Sequence, residues 1–208
     1  MDVIVKTKGI VLGQYDAKVG ADALFLVYTK ELGKVVVKAR GIKKINSKLA
    51  GHLATFGIVE FNIAGKNEVR QLTGAVLLRK IGEQTLEDES VRNFVREFIV
   101  RAVTNEERDL FLWNLVEQFL LSISLNKKFV QVRLFCYVFV ARVLAHLGYF
   151  SANMAEKYFS ATLNKDFVQR LLTRKDGIKI SSIMLDDLGA GLKHLVEAAV
   201  EREMKNWI

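Results

Sequence analysis

Leu24-Phe25-Leu26-Val27-Tyr28-Thr29-Lys30-Glu31-Leu32-Gly33-Lys34-Val35-Val36-Val37-Lys38-Ala39 is two apolar runs of strand length, joined by a short polar link that ends in glycine. β-Branched and aromatic side chains at alternate positions suit a pleated surface with one buried face, and glycine tolerates the turn dihedrals. Working outward, the same alternation recurs at Val3/Val5 and Ile10/Leu12 on one side. On the other side it recurs at Val59/Phe61/Ile63, and Val69-Arg70-Gln71-Leu72 leads into Val76-Leu77-Leu78. Gly13, Gly20, Gly33, Gly41, Gly65 and Gly74 separate these runs.

About five short strands within the first 80 or so residues predict a small barrel. A five-stranded oligonucleotide-binding (OB) barrel is the size-matched candidate, and an SH3-like barrel fits the pattern almost as well. From Leu86 onward the period becomes helical. Val91, Val95, Phe98, Ile99 and Ala102 form one stripe, and Leu112, Leu115, Val116, Phe119 and Leu120 another, after the acids Glu106, Glu107 and Asp109. Phe129 to Leu147 is apolar nearly all round and runs into Gly148, a C-cap glycine. Shorter helices are expected near 152–160, 165–174 and 181–187, and a last amphipathic one over 190–206, with a turn at Lys175-Asp176-Gly177. The expectation is an α+β chain: a barrel over 1–81, a helical domain over 82–208, and a boundary near Gly82–Thr85.

Charge divides along the same line. Residues 1–80 hold 14 Lys+Arg against 6 Asp+Glu, and the remaining 17 of each cancel, so the whole net charge of +8 sits on the barrel. Between Glu31 and Glu60 there is no acid, while Lys34, Lys38, Arg40, Lys43, Lys44 and Lys48 all fall in that window. A solvated basic loop is the plain alternative. Concentration of the cations on one barrel favours a polyanion, and phosphate backbones are the commonest. Six contacts to a single strand would give a salt slope of about −4, a few hundred-fold in affinity between roughly 50 and 200 mM. Single-strand binders add aromatic platforms. Alternation places Phe25 and Phe61 in the barrel core and leaves Tyr15 and Tyr28 as the platform candidates. Lys6 and Lys8 are second-tier cations.

The single cysteine, Cys136, rules out an intrachain disulfide and reads as a buried thiol. Half of the residues are hydrophobic, enough for a sizeable core, and proline is absent. The run Met1 to Lys6 is too short and too acidic for a signal peptide. Arg133, Arg142 and His146 interrupt the most apolar helix, so it reads as a core helix of an intracellular protein. No catalytic constellation stands out. His52, His146 and His194 lie far apart, Glu87-Asp88-Glu89 and Asp186-Asp187 sit where helix starts favour acids, and no phosphate-binding Gly-Lys-Ser loop occurs. The reading is therefore not an enzyme, with no cofactor and no metal. Arg133 and Arg142, nine residues apart, leave roughly opposite faces of their helix. Either could receive the carboxylate of a partner's peptide tail or make a salt bridge at the core edge.

The order of these signals resembles the RecO family of bacterial recombination mediators. The residues that carry it are Thr7-Lys8-Gly9-Ile10-Val11-Leu12, Gly20-Ala21-Asp22 with Leu24, Thr29, and Gly33-Lys34. Ala39-Arg40-Gly41 with Lys43-Lys44, Ser47-Lys48-Leu49, and Leu53 with Phe56 continue it. Phe139-Val140-Ala141-Arg142-Val143-Leu144 with Leu147-Gly148-Tyr149 is similar to the family's long helix. Three departures stand out. Ala21 replaces a usual Glu, Thr55 a usual Pro, and no cysteine follows Phe150, so the zinc site of many members is not expected. The resemblance implies a non-enzymatic mediator in the bacterial cytoplasm, at the nucleoid, with no membrane role. Such proteins bind single- and double-stranded DNA, anneal complementary strands, take the acidic tail of single-strand-binding protein (SSB), and with RecR help RecA replace SSB. An RNA-binding or ribosome-associated barrel and a protein-interaction scaffold are the competing readings of the same charge.

Overall fold

The computed structural model describes residues 3–16, 20–54, 56–81, 86–103, 107–125, 129–161, 163–173, 180–201 and 204–207. Five strands come first: β1 (Ile4–Asp16), β2 (Ala23–Thr29), β3 (Gly33–Ala39), β4 (Gly57–Ala64) and β5 (Val69–Lys80). A short helix α1 (Ala50–Ala54), not legible in the sequence, bridges β3 and β4. β1 pairs antiparallel with both β2 and β4, and β3 pairs parallel with β5, closing a barrel in the order β1-β2-β3-β5-β4. That order, with a helix between the third and fourth strands, resolves the choice in favour of the OB-type barrel. The ring is closed by the pairing of Val36–Ala39 with Val69–Leu72.

Alternation decides which side chains fill the barrel. Phe25, Val27, Val35, Val37, Phe61 and Ile63 point inward and are buried together, including both phenylalanines assigned to the core. Two glycines read as strand breaks are not. β1 runs through Gly13 and β5 through Gly74, each beside a shift of register. A bulge lets one long strand bend around a small barrel where a turn would end it.

The helical half contains α2 (Leu86–Ala102), α3 (Leu110–Leu125) and α4 (Phe129–His146). A 3₁₀ turn (Ala152–Met154), α5 (Ala155–Tyr158), α6 (Lys165–Thr173) and α7 (Ser182–Val200) follow. Asp109 caps α3, its Oδ1 accepting from the Leu112 amide at 2.8 Å. Gly148, at φ +82°, ends α4 with the paired bonds of a Schellman motif: its amide donates to Ala145 and that of Tyr149 to Leu144. The two helices expected over 181–187 and 190–206 are one, α7. Gly189 and Gly191 lie inside it because other chain segments press on them. A Cβ would stand 2.5 Å from the Tyr137 hydroxyl at Gly189 and 2.4 Å from the Phe159 ring at Gly191. The expected boundary at 82–85 and the turn at 175–177 lie outside the described residues.

Barrel and helices share one core. Ile10, Leu12, Tyr28, Phe56 and Ile58, on the outside of the barrel, pack in the same apolar cluster as Phe94, Phe98, Trp113 and Phe119. The tip of the β2–β3 turn is gripped from the helical side. Gly33 takes φ +65°, a Cβ there would fall 2.3 Å from the Glu107 carbonyl oxygen, and Arg108 pairs with Glu31 at 3.0 Å. Helices thus cover part of the outer face of the barrel, and the end opposite that turn is open to solvent. Among the described residues no helix is long and apolar enough to cross a membrane.

Candidate nucleic-acid interface

The open end is built around the segment that follows β3. Gly41, at φ +64°, turns the chain, and its amide donates to Asp22 Oδ1 at 2.8 Å. The Lys43 amide donates to the Ala21 carbonyl, the Lys44 amide to Gly41 and the Ser47 amide to Lys44, at 2.9, 3.1 and 2.9 Å. Ile42 is buried in the barrel core and Leu49 packs against it, so both ends of the loop are anchored. Between these anchors Lys43, Lys44 and Lys48 are exposed, with Arg40 exposed at the strand end. Among the described residues Lys44 and Lys48 make no recorded ion pair. Four cations of the sequence window are therefore presented together by a hydrogen-bonded loop.

Lys38 continues this surface onto the barrel. It lies 3.2 Å from Asp22 Oδ2 and remains partly exposed. The Gly41 amide first, then Lys38, holds the Asp22 carboxyl below its ordinary pKa. That carboxylate ties strand and loop together, a role the sequence did not signal. Strand pairing puts Tyr15, Leu24, Lys38 and Gln71 in one outward row across β1, β2, β3 and β5. Tyr15 is 52% exposed, an aromatic face beside the cations.

Four of the sequence-predicted residues, Lys34, Tyr28, Lys6 and Lys8, lie elsewhere. Lys34 is not a surface cation: it is 7% exposed, and its ammonium donates to the Val100 and Val103 carbonyls at 2.6 and 2.5 Å, at the C-terminal end of α2. A helix C-terminus leaves carbonyls unpaired and carries partial negative charge, so the cation is held there. Burial pushes its pKa down. Tyr28 is no platform either, being 1% exposed with its ring 6.0 Å from that of Trp113. Its outward position in β2 is the position that α3 covers. Lys6 and Lys8 are on the β1–β4 side of the barrel, apart from the loop, paired with Glu60 at 2.9 Å and Glu117 at 3.4 Å.

The two arginines of α4 do emerge on different faces. Arg133 donates to the Tyr137 hydroxyl and to Asp186, both at 3.0 Å, a bridge to α7. Burial alone would lower its pKa, but these two partners raise it overall. Arg142 is half-buried, with Nε donating to the Leu171 carbonyl at 3.2 Å, and burial lowers its pKa. It lines a groove of about 440 Å³ with Phe111, Leu115, His146 and Leu172. Phe111 is exposed and stacks on His146 with ring centroids 4.5 Å apart. The sequence showed His146 only as one of three scattered histidines and did not mark Phe111, because residues on α3 and α4 meet here only through tertiary packing. Among the described residues no three His, Cys, Asp or Glu side chains come together as a metal set.

The barrel also has relatives. Residues 1–81 match the family model described as Recombination protein O N terminal. The DNA repair protein RecO of Listeria monocytogenes serotype 4b, strain CLIP80459, is 28% identical to the chain over 121 residues. The same protein of strain F2365 gives the same identity over the same length. The match covers 57% of this chain and 47% of each relative. The chain spans about half the length of the curated relatives it matches. The segment that matches this family model is thus the OB-type barrel, with its basic loop at the end opposite the β2–β3 turn.

Proposed function

We propose that this chain is a non-enzymatic recombination mediator that binds single- and double-stranded DNA irrespective of sequence and anneals complementary strands. The observation that carries the reading is the hydrogen-bonded loop that presents Arg40, Lys43, Lys44 and Lys48 beside Lys38 at the open end of the barrel. Phosphate contacts of this kind position a strand without reading it. Annealing asks for lowered repulsion between two backbones and for exposed base edges, and neither needs a catalytic side chain. Lys6 and Lys8, already paired to acids, play a lesser part, and Lys34 acts through the fold.

In this reading residues 1–81 are the DNA-binding domain and 82–208 the helical domain that holds it. The second part meets the protein partners: RecR, and SSB through its acidic C-terminal tail, during RecA loading on SSB-coated DNA. The groove beside Arg142 suits that tail best, since a guanidinium at the edge of an apolar groove pairs with a terminal carboxylate. Arg133, engaged with Asp186, is the lesser candidate. The setting is the bacterial cytoplasm, at the nucleoid. Competition between single-stranded DNA and structured RNA of equal length at fixed salt tests the assignment, and a strong preference for RNA refutes it. A labelled SSB tail peptide should bind the full chain and lose affinity with Arg142→Ala.

A further inference from the structure

The loop that carries the cations also carries an apolar residue at its tip. Ile45 is 102% exposed, more open than an isoleucine in an extended chain. Its neighbours in sequence behave otherwise: Ile42 is 7% exposed in the barrel core and Leu49 packs against that core. The loop thus uses its flanking apolar residues as anchors and leaves the middle one in water. Asn46 and Ser47 supply the ordinary turn chemistry, and a β-branched residue adds nothing to a turn. The bonds from Lys43 to Ala21, Lys44 to Gly41 and Ser47 to Lys44 hold the tip up. Lys43, Lys44 and Lys48, its near neighbours in sequence, are exposed as well.

We propose that Ile45 is a wedge that enters the base stack of duplex DNA held by this loop, an inference that rests on the nucleic-acid reading of the loop. Cations on either side of an apolar tip match a duplex groove, where phosphates line both walls and stacked bases form the floor. Isoleucine is among the side chains that proteins insert between base steps from the minor groove, unstacking the step and kinking the duplex. Branching at Cβ restricts its χ1, so it behaves as a stiff wedge. An anionic membrane would also attract a basic loop, but stable attachment needs a larger apolar face than one side chain offers. The wedge acts most easily at pyrimidine–purine steps, which unstack at least cost. A step opened in this way presents base edges to an incoming strand.

The test uses the full chain with short duplexes carrying 2-aminopurine at a TA step, a base whose fluorescence rises when it unstacks. Native protein should raise the fluorescence, Ile45→Leu should keep the rise, and Ile45→Ala and Ile45→Asn should lose it. Affinity in those variants should fall by less than about ten-fold, and the salt slope should not change, because the cations remain. A rise undiminished in Ile45→Ala, or no rise from native protein that does bind the duplex, overturns the wedge and leaves the loop's DNA contact standing. Absence of duplex binding by native protein at low salt, read by anisotropy, overturns the DNA reading and the wedge with it. Vesicles of phosphatidylglycerol complete the set. Vesicle binding lost in Ile45→Ala, with the duplex signal intact, assigns the tip to a membrane and overturns the proposal.

Discussion

Replacing Lys43, Lys44 and Lys48 together with glutamine removes three cations and keeps the backbone bonds and the Asp22 contact that shape the loop. With Lys34 buried, five cations of the original window remain at the open end: Lys38, Arg40, Lys43, Lys44 and Lys48. At about 0.7 counterions per single-strand contact, the native slope of log K against log salt is about −3.5 and that of the variant about −1.4. Between roughly 50 and 200 mM salt the native protein loses about a hundred-fold in affinity and the variant about seven-fold. Anisotropy titrations with a labelled single strand at four salt concentrations measure both slopes. A control replaces Lys157, Lys165 and Lys193 in the neutral half, giving the same drop in net charge. It should keep the native slope. Parallel lines for the loop variant and native protein would refute the assigned contacts, and an equal flattening in the control would reduce the effect to net charge alone.

Lys34→Met should leave the salt slope unchanged and lower stability by about 2 kcal/mol, the worth of hydrogen bonds from a charged donor at a helix C-terminus; urea unfolding reads it. Because burial lowers the Lys34 pKa, the unfolded chain binds more protons just below 10.5. The stability difference between native protein and Lys34→Met should therefore grow as pH rises toward that value. Gly33→Ala should cost about 2–3 kcal/mol, from positive φ and from the approach of the Glu107 carbonyl, again read by urea unfolding. Glu97 accepts from the Lys205 and Asn206 amides at 2.9 and 2.7 Å, beside Trp207, whose ring lies 5.4 Å from that of Phe94. Burial alone would raise its pKa, but these bonds and Arg101 lower it below 4.5. Its contribution is present above 4.5 and lost as pH falls through the lowered value, so acid should shift Trp207 emission to the red, and Glu97→Gln should show the shift at neutral pH.

The barrel was legible because strand alternation is local: Phe25 and Phe61 could be assigned to the core from their neighbours in sequence alone. Glycine was the weaker signal. Gly33 and Gly41 do turn the chain at positive φ, yet Gly13 and Gly74 sit inside bulged strands, and Gly189 and Gly191 inside α7. A glycine kept for close packing reads the same as one kept for a turn, because the atom that would clash comes from a distant segment. Tyr15 and Lys38 were expected at the surface and are found there. Tyr28 and Lys34 occupy outward positions too, and α2 and α3 cover them.

Sequence by itself determined the strand-then-helix order, the confinement of net charge to the first 80 residues, and the acid-free window that holds the basic loop. Each of these is a property of composition or short period, set before any long-range contact forms. Only the tertiary structure decided which cations reach solvent together, because that depends on where the helices dock on the barrel. Docking buried Lys34 at the end of α2 and covered Tyr28 with Trp113, packing among the helices assembled the Arg142 groove from α3, α4 and α6, and the anchoring of the loop by Ile42 and Leu49 left Ile45 exposed.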